Sequence, residues 1–125
     1  MKTSQYPREM KIESVRYVRE DLIAKPVVST DGLPYVCARS RESGVWLGYL
    51  KKRDDSEVTL ANARRVWRWE GAAELSELAT RGTSKPQSCK WPAPIPEVLI
   101  IGACEIIPCS EAAKKTHDEV KIWTA

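Results

Sequence analysis

The sequence predicts an α+β fold, a small β-rich domain with antiparallel hairpins, one short mid-chain helix and a C-terminal helix. Three observations predict it. Short runs rich in Val, Tyr, Trp and Leu alternate with turn residues between Tyr35 and Trp69. Segments of helical period, "AAELSELA" and "SEAAKKTHDEV", follow. At 125 residues the chain supports about one core.

Residues 1–33 are read as an N-terminal extension and residues 34–125 as the single domain. In the extension, Met10, Ile12, Val15, Val18, Leu22 and Ile23 fit an irregular helical stripe, while "IESVRYVRE" also alternates as a strand would. From Pro34 the pattern sharpens. "YVCARSR" and "VWLGYLKK" are strand-like runs joined by the hairpin turn Glu42-Ser43-Gly44. A turn over Arg53–Ser56 leads to a third strand, Glu57–Leu60. Ala61-Asn62-Ala63 interrupts, and Arg64–Trp69 reads as a fourth. Gly71 closes that run, and Leu75 and Leu78 mark the inward face of the mid-chain helix. The three prolines of "WPAPIPE" give an extended segment unfit for a central strand. Val98–Ile107 reads as one buried strand bent at Gly102. Pro108 stops it, and Ser110 caps a last helix over residues 111–120.

Composition narrows the function classes. The longest apolar run, Val98–Cys104, is too short to cross a bilayer, and no secretory leader opens the chain, so a cytoplasmic location without membrane partners is expected. A net charge of +3 is a mild bias, short of a dedicated DNA coater. Five Trp and four Tyr with no Phe give every ring of the aromatic set a polar handle, which suits interfaces and ligand walls. Cys37, Cys89, Cys104 and Cys109 form no Cys-x-x-Cys pair and are read as buried free thiols, so no metal and no cofactor is expected. No phosphate loop, dinucleotide fingerprint or zinc-protease motif occurs. The lone His117 reads as a surface residue, so the chain is expected not to be an enzyme.

The stretch "VTLANARRVWRWEG" is the strongest functional signal. Arg65, Trp67 and Trp69 alternate onto one strand face, and Arg64, Val66 and Arg68 onto the other. A guanidinium binds phosphate through paired donors and an indole stacks on a base, so the mixture suits a nucleotide. Arg39, Arg41, Arg64 and Arg65 are the candidates for phosphate. Trp46 and Trp67 are the candidates for stacking, although Trp67 taken alone reads as a core residue. Ser43, Gly44 and Asn62 are the candidates for hydrogen bonds to the ligand.

"YVCARSRESGVWLGYL", "VTLANARRVWRWEGAAELSELA" and "EIIPCSEAAKK" resemble a family of small uncharacterised proteins carried mainly by tailed bacteriophages, over roughly residues 34–115. The resemblance rests on Ser-x-Gly-Val, Asn-Ala-Arg-Arg-x-Trp-x-Trp and Glu-Ile-Ile-Pro, and it transfers no catalytic residue. It implies an accessory factor acting in the host cytoplasm. The expected function is non-catalytic sequestration of a nucleotide immune signal, a cyclic dinucleotide or an ADP-ribose derivative. The expected form is a homo-oligomer with pockets near subunit interfaces. A nucleic-acid-binding accessory protein and a protein-binding inhibitor of a host factor are the alternatives.

Overall fold

The computed structural model describes residues 26–125, so the helix-or-strand reading of the N-terminal stripe lies outside the described residues. Five strands form one antiparallel sheet: β1 (Tyr35–Ser40), β2 (Gly44–Asp54), β3 (Glu57–Val66), β4 (Ile95–Ile100) and β5 (Ala103–Pro108), in the spatial order β4-β3-β2-β1-β5. Two helices, α1 (Leu75–Thr80) and α2 (Glu111–Asp118), complete the expected β-rich α+β domain.

The β1–β2 hairpin forms as its alternation predicts. Ser40 pairs with Gly44, and Gly44 takes φ +81°, a conformation open to glycine at no steric cost. Arg53 to Glu57 turns the chain again through Asp55, also at positive φ. Beyond it the sequence reading needs correction. The segments around Asn62 are one strand and not two. Asn62 adopts φ +49° and forms a bulge, so that Leu47–Tyr49 on β2 faces the longer stretch Ala61–Arg64 on β3. The strand ends at Val66, so Trp67, Arg68 and Trp69 lie past it. Arg68 makes only an isolated bridge to Lys90.

The supposed single strand Val98–Ile107 is also two. β4 and β5 are linked by Ile101-Gly102 yet lie at opposite edges of the sheet. They meet because the sheet curls into a half-closed barrel. The amide of Ala103, which pairs with Ser40 on β1, donates to the Ser56 carbonyl at the tip of the β2–β3 hairpin (2.8 Å). Ser40 Oγ donates to the Ile101 carbonyl (3.0 Å) and secures the same seam. Gly48 sits where β2 bends. A Cβ there would lie 3.1 Å from Leu60 Cβ and 3.2 Å from the Ala61 carbonyl oxygen.

Curling buries both faces of β2. On the concave face Val36, Ala38, Trp46, Val58, Leu60, Ala63 and Ile100 fill the barrel. On the other, Tyr35, Cys37, Val45, Leu47 and Val66 pack against Leu75 and Leu78 of α1, Trp91 and Val120. Strict alternation along β2 sets Val45, Leu47 and Tyr49 against Trp46, Gly48 and Leu50, and the side chains of the two sets fall to these two clusters.

Helix ends leave carbonyls without intrahelical partners. Those of α1 are satisfied by α2. The Ser110 amide donates to Ala79 O (3.1 Å), Ser110 Oγ donates to Thr80 O (2.7 Å), and His117 Nε2 bonds Leu78 O (2.8 Å). Ser110 Oγ also accepts from Ala113 N and caps α2, as its position predicts. His117 is therefore an interior residue, 2 % exposed, and not the surface residue expected. Cys37, Cys89 and Cys109 are buried free thiols, whereas Cys104 is exposed.

Candidate functional site

The nine candidate ligand residues fall into separate places. Ser43, Gly44, Trp46 and Arg65 converge at the β1–β2 turn. Trp46 is 5 % exposed, its indole N–H donates to Ser43 O (3.2 Å), and the Arg65 guanidinium lies 4.3 Å from its ring centroid. Arg65 Nη1 donates to the same Ser43 carbonyl (2.7 Å). Arg65 thus lids Trp46, in a cation–π contact that also closes the barrel mouth. Arg39 lies 3.8 Å from Glu105 across the β1–β5 pair, and Arg41 is exposed in the turn.

Arg64 points to the opposite face from Arg65. Its Nε donates to Pro92 O (2.9 Å), Nη2 to Trp91 O (3.2 Å) and Nη1 to His117 O (3.5 Å), with the guanidinium 5.5 Å from the Trp91 ring centroid. It ties the end of α2 to the Trp91-Pro92 segment. Desolvation lowers its pKa from the ordinary value. Beside it opens a recess of about 90 Å³, lined by Tyr35, Tyr49, Asn62, Arg64, Lys114 and Asp118 among others. Lys114 forms an ion pair with Asp118 (2.8 Å) along α2.

Beneath the recess His117 is fixed in one tautomer. Nε2 faces a carbonyl, which only accepts, so Nε2 carries the proton and Nδ1 accepts from the Tyr35 hydroxyl (3.1 Å). Burial pushes the imidazole pKa down to about 4 and raises that of the Tyr35 phenol well above its ordinary value. The neutral pair is locked by its surroundings. Among the described residues no group of three or more His, Cys, Asp or Glu side chains is placed to hold a metal ion.

Trp67 is the surprise. Although its own reading favoured the core, it is 63 % exposed, because the strand that would have carried it inward stops at Val66. Its ring lies nearly parallel to that of Trp123 (7° between planes, centroids 6.5 Å apart), itself 39 % exposed. Trp123 is held there by its amide, which donates to Trp91 O (3.0 Å), and Ile122 bridges Trp91. Lys90 Nζ lies 5.8 Å from the Trp123 centroid, and Arg68, paired with Lys90, and Lys121 are exposed on the same ribbon. Sequence reasoning missed Trp123, Lys90 and Lys121. The C-terminal "KIWTA" carried a visible signal, an indole beside a lysine beyond the last helix.

Residues 33–117 match the family described as a domain of unknown function (DUF6948), and the chain belongs to it. No curated protein and no solved structure matches the chain. The family is uncharacterised, and Trp123 lies outside the matched segment. No helix among the described residues is long and apolar enough to cross a membrane.

Proposed function

We propose that this chain is a non-catalytic phage accessory protein that binds and sequesters a nucleotide-type immune signal, a cyclic dinucleotide or an ADP-ribose derivative, in the host cytoplasm. The phage setting rests on the resemblance of residues 34–115. The binding role rests on the parallel, exposed indoles of Trp67 and Trp123 with the Lys90 ammonium against one of them. A base stacked on such an indole gains about 1–3 kcal/mol, and Lys90 and Lys121 are positive charges suited to its phosphates, whereas Arg68 is paired with Glu70 (3.5 Å). The recess beside Arg64 is too small for a dinucleotide, so a second copy of the chain completes the ligand pocket around the indole pair. Holding rather than cleaving is supported by His117, the chain's one histidine, whose two ring nitrogens are both engaged.

Calorimetry of the full chain against cyclic dinucleotides and ADP-ribose isomers tests the reading. Saturable heat at micromolar protein is expected, with intact ligand recovered after heat denaturation. Trp67→Ala should weaken binding by about tenfold or more at nearly unchanged stability, since so little of that side chain is buried. Absence of heat from every compound refutes it. The openness of the indole surface favours a second reading, single-stranded nucleic acid. In that case the chain would bind an oligonucleotide with affinity falling steeply with salt and ignore the free nucleotides.

A further inference from the structure

Arg64 is a half-buried guanidinium whose hydrogen bonds among the described residues go to carbonyls, with Asp118 the nearby carboxylate whose charge favours its charged form. Carbonyl oxygens of Trp91, Pro92 and His117 take three of its five N–H groups, and no carboxylate lies within ion-pair distance of it among the described residues. Carbonyls supply only partial charge. Asp118 pairs with Lys114 and also acts on Arg64, so one carboxylate serves two cations. The lining therefore carries a net positive charge, with Asn62 and Tyr49 beside it.

We infer that this recess is a binding site for a small anionic group, a carboxylate or a phosphate, held by the free N–H groups of Arg64 with Lys114 and Asn62. A recess of about 90 Å³ holds several waters, room enough for a carboxylate or a phosphate group. Tyr49, half-buried, lines the same recess and packs against Tyr35 (ring centroids 5.2 Å apart). Asp118 opposes the anion and Lys114 supports it, so the ion pair between them sets the affinity: the anion competes with Asp118 for Lys114. The inference is independent of the indole pair, and either can fail alone.

The test is a titration of the full chain with acetate and, separately, inorganic phosphate at constant ionic strength, followed by ¹H–¹⁵N shifts including the Arg64 Nε–H. Saturable shifts at Asn62 and Arg64 in either arm support the site, and the arm that saturates first identifies the acid. Asp118→Asn should tighten binding about fivefold by removing a like charge, and Lys114→Gln should weaken it by a similar factor. Asp118 is exposed on α2, and Lys114 is partly buried with its ammonium 5.3 Å from the Tyr35 ring centroid, so thermal unfolding of K114Q is checked alongside. Linear, unsaturating shifts in both arms would overturn the inference. So would shifts that spread over the surface lysines and ignore the Asp118 change.

Discussion

His117 makes the fold's stability depend on pH in the window between its folded and unfolded pKa values. It is the only histidine, its ordinary pKa is 6.5, and in the folded state burial holds it near 4. The folded state refuses a proton that the unfolded chain accepts. Stability is therefore complete above pH 6.5, falls as pH drops below that value, and stops falling on this account near pH 4, where the folded form also protonates. Integrating the linkage between those two pKa values gives a loss of about 1 kcal/mol between pH 7 and pH 5.5, and about 2 kcal/mol by pH 5. Carboxylates titrate mostly below that range, so the slope reports one group. Urea unfolding at pH 7.0, 6.0 and 5.5 measures it. His117→Gln should be less stable at pH 7, because it loses the Tyr35 and Leu78 bonds, yet flat over the same window. A wild-type loss below about 0.3 kcal/mol, or an equal slope in the variant, would refute the assignment of a neutral, buried imidazole.

Two substitutions probe the elements that place the sites. Gly48→Ala should destabilise by about 1–3 kcal/mol, since its Cβ would lie 3.1 Å from Leu60 Cβ and 3.2 Å from backbone atoms of Ala61 and Ala63, tight enough that β3 must shift. Thermal unfolding should show a fall of several degrees, and an unchanged midpoint would mean that β2 does not bend there. Ser110→Ala removes both the cap of α2 and a donor to the end of α1 and should cost about 1–2 kcal/mol, read by the same assay. Ser110→Thr should retain most of it.

Local chemistry made part of this structure legible. Glu42-Ser43-Gly44 is a turn in any context, and the strict alternation around it assigns the faces of β2 correctly. Asn62 was ambiguous for a physical reason. A residue that tolerates positive φ serves a break or a bulge equally well, and the bulge exists only in relation to the partner strand β2. The stretch Val98–Ile107 carries no local sign that its halves go to opposite edges, because closure across Ser56 and Ala103 decides that. Ala113, His117 and Val120 do fall at helical spacing, so an inward His117 was visible, but the surrounding charges of "EAAKKTHDE" masked it.

Arginines on both faces of β3, with tryptophans on β2 and just past Val66, invite a ligand wall because a sheet ordinarily buries one face. Here curling buries both, and each arginine meets an indole for a different structural purpose. Arg65 covers Trp46 at the barrel mouth, and Arg64 lies over Trp91 while gripping three carbonyls. A long, amphipathic cation is well suited to such a boundary, where its stem packs and its head reaches oxygen. Of the two indoles just past Val66, Trp69 packs against the core with its N–H on Ala72 O (3.3 Å), and Trp67 is the one the fold does not use. Trp67 escapes the sheet by a single residue, since Val66 is the last that β3 pairs, and the tail brings Trp123 to lie against it. Packing alone does not require two large rings to meet in solvent. Removing the tail ring by Trp123→Ala should accordingly leave the midpoint of unfolding almost unmoved while it lowers affinity for any stacked ligand, and a large loss of stability instead would return both indoles to the core.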